Sequence, residues 1–301
     1  MRSLARAADV TYRQILLLSC IEDVLANLYQ LGELFGRLGC CAFAAMGPRT
    51  VDGELLCGRN LDYFVPSAAG EDVWGATNYI KQAVVALEFV PHDAQSFLSV
   101  GWPGFVGVAT GMNQGGICLG SLTVSTRRNW PMATPATFTY RDILQTATNL
   151  DQSIALLRTN SRTQGNNLLL GSASEQNARI VEFTPWDLIV REPEDGWICA
   201  TNHFVTEQML GRNSHGVIFS SAERMSRLGE LCGGGSLADG LAAGAFLIDQ
   251  SLRVPEANEY CGVFNPCTIY GVAFAPSRGE LWVRVADRPN RAFERISLGT
   301  E

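Results

Sequence analysis

Two short stretches are the most informative part of this sequence: Gly39-Cys40-Cys41-Ala42-Phe43-Ala44-Ala45 and Gly58-Arg59-Asn60-Leu61-Asp62-Tyr63. Between them lies Val51-Asp52-Gly53-Glu54, and an Asp-Gly pair is typical of a tight turn between antiparallel strands. The chain is therefore expected to fold back on itself and to bring Cys40 towards Arg59 and Asp62. A thiol close to a guanidinium and a carboxylate has the groups of an activated nucleophile.

Four further blocks follow along the chain: Gly101–Gly107, Gly111–Ile117, Thr201–Phe204 and Ser220–Arg224. Together with Gly39–Ala45, they resemble the motifs of N-terminal-nucleophile (Ntn) hydrolases of the isopenicillin-N acyltransferase-like peptidase family. That family is related to choloylglycine (bile salt) hydrolases and acid amidases. The blocks keep the family order and span nearly the whole chain. The resemblance implies a four-layer αββα sandwich, whereas the pattern of predicted elements alone indicates only an α+β fold.

Residues 1–39 differ in character from the rest of the chain. Apolar residues recur there at helical spacing, which predicts an amphipathic helix: Leu17, Ile21, Val24, Leu28, Leu31, Phe35 and Leu38. The resemblance implies that 1–39 is a pro-segment, removed or nicked on maturation, and that 40–301 is the catalytic domain. The segment is electrically neutral and is expected to dock by apolar contact. An ordinary core helix or a short coiled-coil seam is the alternative.

After Cys40 the pattern changes to short strands. The predicted strands are Ala83–Val90, Phe97–Gly101, Phe105–Ala109, Ile117–Val124, Asn167–Gly171, Arg179–Phe183, Gly196–Thr201, Tyr270–Phe274, Glu280–Val285 and Phe293–Leu298. Predicted helices occupy 138–158, 221–231 and 237–252. Ser220 with Glu223 predicts a capping box at the start of the second of these helices.

A cut between Gly39 and Cys40 would provide the base that a thiol nucleophile needs. Cys40 would then carry a free α-amine with a pKa of ~8, able to take the thiol proton. No histidine is required, which suits a chain with only three. Cys41 is the alternative nucleophile, and a papain-like pair of a cysteine with His203 or His215 is a rival arrangement. A buried structural thiol is the non-catalytic interpretation of Cys40.

The resemblance assigns a role to four more residues. Arg59 stabilises the thiolate, Asp62 orients the new α-amine, Asn202 donates to the oxyanion, and Arg224 helps to anchor the catalytic groups. Residues three apart point to opposite faces of a regular strand. We therefore expect a bulge, at Gly47–Arg49, if Arg59 and Asp62 both reach Cys40. A structural ion pair and a turn asparagine are the simpler interpretations of these side chains.

Composition narrows the classes of protein. The net charge of −7 argues against a nucleic-acid surface, which needs clustered lysine and arginine. Hydrophobic residues make up 47% of the chain, enough for a large core, yet no run approaches the ~20 apolar residues of a membrane span. The nine cysteines show no Cys-x-x-Cys spacing, so no metal or cofactor is expected, and a reducing cytoplasm fits best.

These observations predict an autoprocessed cysteine amidohydrolase or acyltransferase. It would cleave linear amide C–N bonds of a small N-acyl amide through a thioester acyl-enzyme. A choloylglycine-type hydrolase is one alternative, although Thr123 stands where those enzymes carry asparagine, and an unprocessed binding protein is another. A homo-oligomer is left open. Aromatic residues near the blocks are candidates for an acyl pocket or for the core: Phe64, Trp74, Tyr79, Trp102 and Phe105.

Overall fold

A computed structural model describes most of the chain. The described residues are 1–28, 39–63, 80–214, 220–251, 262–287 and 290–299. Residues 29–38 of the predicted pro-segment, His215, and the candidate pocket residues Phe64, Trp74 and Tyr79 lie outside them.

Groups of helices alternate with groups of strands along the described part of the chain. The helices are α1 Arg2–Ala7, α2 Tyr12–Ser19, α3 Ile21–Leu28, α4 Ala136–Thr146, α5 Leu150–Thr159, α6 Glu207–Leu210, α7 Ser221–Gly233 and α8 Gly240–Leu247. The strands are β1 Gly39–Ala45, β2 Leu56–Asp62, β3 Val85–Phe89, β4 Phe97–Gly101, β5 Thr110–Asn113, β6 Ile117–Val124, β7 Gly165–Ser172, β8 Asn177–Phe183, β9 Leu188–Arg191, β10 Trp197–Ala200, β11 Thr268–Ala275, β12 Glu280–Val285 and β13 Glu294–Ser297. None of the helices in these ranges is both long and apolar enough to cross a membrane.

The first sheet contains Gly39–Ala45 as β1 and most of Gly58–Tyr63 within β2. Its strand order is β10-β1-β2-β11-β12-β13, and β1 pairs antiparallel with β2, as predicted. Gly39 lies opposite Asp62, and the register continues without a shift to Ala45 opposite Leu56. The predicted bulge is therefore wrong. Gly47–Arg49 forms a short 3₁₀ turn in the connection between the strands instead.

The second sheet is a seven-stranded antiparallel meander, β3 to β9 in chain order. One apolar core lies between the two sheets, and it includes Cys40 and Tyr270 from the first sheet and Met112 from the second. A second core joins the β3–β9 sheet to α4 and α5, and a third joins the other sheet to α7 and α8. Helix, sheet, sheet and helix are thus stacked in four layers, which confirms the predicted αββα sandwich.

Two predicted elements differ from the structure for local reasons. The helix predicted over 138–158 is broken, because Asn149 accepts a hydrogen bond from Gln152 N at 2.8 Å and so caps a new helix. The strand predicted over Phe105–Ala109 is absent. Gly104 has φ +88°, and Phe105 N donates to Trp102 O at 3.1 Å, so the chain turns there.

Two further predictions about helices are also wrong. Ser220 has φ 58°, in the left-handed region, and it does not form the predicted capping box. Its hydroxyl instead accepts from Arg224 Nε at 3.2 Å, four residues along the helix. In the N-terminal segment, the predicted single helix is interrupted at Cys20, where α2 ends and α3 begins.

Candidate active site

The two adjacent cysteines of β1 face opposite layers, because side chains alternate along a strand. Cys40 points into the core between the sheets, on the same side as Arg59 of β2. Cys41 points outward among the residues packed under α7 and α8, where its Sγ lies 3.9 Å from Val263 O. The face of the strand therefore separates the two candidate nucleophiles.

Arg59 meets the thiol of Cys40. Its Nη2 lies 3.6 Å from Cys40 Sγ and donates to Ser121 O at 2.7 Å. Its Nη1 donates to Thr110 Oγ1 at 2.5 Å and to Tyr270 OH at 3.1 Å. Because the guanidinium is held by three different strands, its position beside the sulfur is defined by both sheets.

Asn202 and Arg224 hold the backbone of Cys40. Asn202 Oδ1 accepts from Cys40 N at 2.7 Å and from Arg224 Nη2 at 3.0 Å. Arg224 Nη1 donates to Cys40 O at 2.5 Å. Asn202 Nδ2 donates to Thr123 O at 2.9 Å, so its surroundings fix the amide orientation: two donors at the oxygen and a carbonyl at the nitrogen. In this state the acceptor end of Asn202 faces Cys40.

Asp62 lies on the other face of β2, beside Gly39. Its Oδ2 accepts from Asn265 Nδ2 at 2.8 Å. A Cβ placed on Gly39 would lie 3.3 Å from that same oxygen and 3.4 Å from Arg224 Nη2. Burial raises the pKa of Asp62 to about 6, while the charge of Arg224 acts to lower it. The carboxyl group thus stands next to the Gly39–Cys40 bond rather than beside the thiol.

The environment of the thiol differs from the expectation. Arg59 does act to lower the pKa of Cys40, as expected, but burial is the larger effect and raises it above its ordinary value. Only 4% of Cys40 and 1% of Arg59 are exposed. Removing water from around a thiolate costs more than the one cation restores, so in the full-length chain the thiol stays protonated.

The two described histidines, His92 and His203, make their contacts away from Cys40. His203 Nδ1 lies 2.7 Å from Ser221 Oγ and 3.2 Å from Thr201 Oγ1. Burial lowers the pKa of His203, and the charge of Arg224 adds to this. His92 is exposed and pairs with Asp93. No contact in the described ranges joins either histidine to Cys40.

All five predicted residues therefore meet around one peptide bond, and further residues that sequence reasoning missed complete the cluster. Thr110 and Tyr270 hold Arg59, Asn265 holds Asp62, and Glu22 of α3 is buried nearby. None of them belongs to a recognisable motif, since their contacts join segments far apart in the chain. Within the described ranges, no three His, Cys, Asp or Glu side chains are grouped to hold a metal ion.

The two facing antiparallel sheets between helix layers define an Ntn-hydrolase fold. The chain belongs to the acyl-coenzyme A:6-aminopenicillanic acid acyl-transferase family, which matches residues 50–289. That stretch includes Arg59, Asp62, Asn202 and Arg224, whereas Cys40 lies just before it.

Similar proteins support the fold. The N-acylethanolamine-hydrolyzing acid amidase ortholog of Caenorhabditis elegans is 16% identical with a TM-score of 0.52, over 79% of this chain and 93% of that one. A variant of the conjugated bile acid hydrolase from Clostridium perfringens is 14% identical with a TM-score of 0.52, over 86% and 92%. An uncharacterized protein of Archaeoglobus fulgidus is 24% identical over 72% of this chain, which spans 40% of that relative's length.

Proposed function

We propose that this chain is a cysteine amidohydrolase or acyltransferase that matures by cutting its own Gly39–Cys40 bond. One observation carries the proposal: three atoms of Cys40 are each held by a different predicted residue. Arg59 meets the sulfur, Asn202 accepts from the nitrogen, and Arg224 donates to the carbonyl oxygen. Ntn chemistry uses the thiol and the nitrogen of a single residue, so both must be fixed relative to each other.

Maturation would be an acyl shift followed by hydrolysis. The Cys40 sulfur loses its proton and attacks the carbonyl carbon of Gly39. The C–N bond breaks, the Cys40 nitrogen takes up a proton, and a thioester to Gly39 forms. Water then cleaves the thioester, leaving a Gly39 carboxylate and a Cys40 with a free thiol and a free amine. Glycine suits position 39, because a Cβ there would press on Asp62 and Arg224.

The freed α-amine would then serve as the base. Its ordinary pKa is ~8, so at neutral pH a usable fraction is unprotonated and can take the thiol proton. Asn202 Oδ1 already accepts from this nitrogen, and the Asp62 carboxyl group lies beside the position that Gly39 leaves. These acceptors would orient the amine, while the Arg59 cation would stabilise the thiolate.

Turnover would cleave a linear amide C–N bond of an N-acyl substrate. The Cys40 thiolate attacks the acyl carbon, and the amine leaves with the proton that the α-amine had taken. The resulting thioester is cleaved by water, which gives hydrolysis, or by a second amine, which gives acyl transfer. The family includes acyltransferases and the structural relatives are amide hydrolases, so both outcomes belong to this class.

Intact-mass spectrometry of the purified chain tests the proposal. We expect two chains, 1–39 and 40–301, in the wild type and one uncut chain in Cys40→Ala. The same preparations are then assayed on N-acyl amides with short, medium and long acyl groups. An uncut wild type that turns over amides would refute the maturation step. A protein with no turnover on any amide, and no thioester trapped at Cys40, would favour the binding-protein alternative.

A further inference from the structure

Exposed apolar side chains are concentrated in four segments that lie together in the fold: 126–134, 157–163, 184–187 and 207–214. Four large apolar side chains are half exposed or more there: Trp130, Met132, Trp186 and Leu210. At 84%, Met132 is the most exposed large apolar side chain among the described residues. An apolar group that is kept in water in this way does not contribute to the core, so this surface is a candidate for a partner.

Hydrogen bonds join these segments into one surface, which we call the Trp130 surface. Trp130 N donates to Thr163 O at 2.8 Å, and Arg127 Nε donates to Asn213 O at 3.2 Å. The 126–134 loop is therefore fixed both to 157–163 and to 207–214. Its exposed side chains are presented on a supported loop, not on a free chain end.

Arginines lie between the apolar side chains of the Trp130 surface. The guanidinium of Arg128 lies over the Trp186 ring, with its Cζ 4.6 Å from the ring centroid, and Arg212 pairs with Asp187 at 2.8 Å. The charged residues of the four segments are five arginines and two acids: Arg127, Arg128, Arg158, Arg162, Arg212, Asp187 and Glu207. The surface is thus basic, although the chain as a whole carries a net charge of −7.

This mixture of groups fits an anionic lipid surface better than it fits a protein. The buried centre of a protein interface is depleted of charged residues, whereas here a cation lies directly over a tryptophan. The surface of a bilayer accepts both kinds of group side by side. Tryptophan rings lie at the level of the headgroups, and arginines pair with anionic lipid while their stems cover apolar area.

We propose that the Trp130 surface docks this protein on a membrane surface that carries anionic lipid. The exposed apolar side chains enter the headgroup layer, and the arginines pair with lipid phosphates. The docked end of the molecule adjoins the loop of Asn202, because Phe204 N donates to Asn213 Oδ1 at 3.0 Å. Docking uses none of the residues around Cys40, so it stands apart from the proposed catalytic function.

Co-sedimentation of the purified full-length protein with lipid vesicles tests the proposal. Vesicles of phosphatidylcholine alone are compared with vesicles that also contain phosphatidylglycerol, at low and at high salt. One double variant, Trp130→Ala with Met132→Ser, removes two apolar side chains. A second, Arg127→Gln with Arg128→Gln, removes two cations from the same loop.

Matched controls make the same kinds of change outside the four segments. Val90→Ser removes an exposed apolar side chain from the β3–β4 turn. Arg278→Gln with Arg295→Gln removes two exposed cations. Circular dichroism checks that every variant is folded.

We expect wild type to bind only the vesicles that contain phosphatidylglycerol, and to bind them less at high salt because salt screens the charges. Binding is expected to fall ~10-fold or more in each double variant of the surface and to stay at the wild-type level in the controls.

Absence of wild-type binding, or equal binding to both kinds of vesicle, would overturn the proposal. Unchanged binding of the folded Arg127→Gln, Arg128→Gln protein would overturn it as well, whatever the apolar variant does. Light scattering covers the remaining occupant. A dimer that the Trp130→Ala, Met132→Ser protein loses, in a wild type that ignores vesicles, would assign the surface to a second copy of this chain instead.

Discussion

Cys40 and Cys41 are the same residue type at consecutive positions of one strand, and the structure treats them differently. Both are buried, and burial raises the pKa of both, that of Cys41 to about 12. Arg59 Nη2 lies 3.6 Å from Cys40 Sγ, and its charge acts to lower the pKa of that thiol. Cys41 Sγ lies 3.9 Å from Val263 O, and the charge that acts to lower its pKa is that of Arg224. The face of the strand, rather than the thiol itself, therefore decides which of the two cysteines contacts the Arg59 guanidinium.

The largest effect is expected from replacing the sulfur of Cys40. Cys40→Ser is expected to lower kcat by ~10³-fold or more, because the hydroxyl is a weaker nucleophile and the residue acts as one unit with its own amine. Cys41→Ser is expected to retain most activity, since its side chain faces the helix layer. Turnover of both variants on one amide substrate decides the matter. Full activity of the first with none in the second would move the nucleophile to Cys41.

The next largest effect is expected at Asn202, which accepts a hydrogen bond from the nitrogen of Cys40. Removing its side chain in Asn202→Ala is expected to lower kcat by ~10²–10³-fold, the loss typical of a missing oxyanion donor at an acyl-transfer centre. The matched control is Asn167→Ala. Asn167 donates to Thr201 O at 2.9 Å and to His203 O at 2.8 Å. It therefore contacts the residues on either side of Asn202, but not Cys40.

We expect the control variant to lose thermal stability and to keep its kcat. Circular dichroism checks that both proteins are folded. A normal kcat in folded Asn202→Ala would return this residue to a structural role in its turn.

Glu22 makes the environment of Cys40 depend on pH, because its charge acts to raise the pKa of that thiol. Burial raises its pKa from 4.5 to about 7. The folded chain thus binds more protons than the unfolded chain between these values, and its stability falls as pH rises through the window. At ~1.4 kcal/mol per unit of pKa, the difference between 4.5 and about 7 corresponds to a loss of ~3.5 kcal/mol at most.

Thermal unfolding at pH 5 and at pH 7.5 measures this loss. Wild type is expected to melt lower at the higher pH, and Glu22→Gln is expected to show a smaller difference. Asp62, whose pKa burial raises to about 6, contributes with the same sign in both proteins. An identical pH dependence in the two proteins would show that Glu22 is not buried as a carboxyl group.

The smallest effect is expected at Tyr270, whose hydroxyl accepts a hydrogen bond from Arg59. Tyr270→Phe removes one of its hydrogen bonds and is expected to lower kcat about tenfold, with little change in KM, because only the stabilisation of the thiolate is weakened. Tyr140→Phe is the matched control, since the Tyr140 hydroxyl is buried without a hydrogen-bond partner among the described residues. Equal kcat values in both variants would make Tyr270 a packing residue.

Much of the first sheet followed from local pattern. The Asp-Gly turn and the two flanking strands predict the β1–β2 pairing, because hairpin contacts depend only on residues close in sequence. The motif blocks likewise predicted all five residues that surround the Gly39–Cys40 bond. Apolar periodicity failed where a single residue reset the local backbone: Asn149 caps a second helix inside 138–158, and Gly104, with a positive φ, turns the chain before Phe105–Ala109.

Alternation and turn chemistry in the sequence determined the α+β class and the hairpin, whereas the αββα layers and the side chains grouped at Cys40 followed from the resemblance of its ordered motifs to a known family. Only the tertiary structure decided how they are used. It turned the acceptor end of Asn202 to the Cys40 nitrogen, brought Arg224 to the Cys40 carbonyl oxygen, and buried Glu22. The physical reason is that Asn202 and Arg224 lie more than a hundred positions from Cys40 in the chain, and that the burial of Glu22 depends on how much water the packed layers exclude. Neither leaves a local pattern.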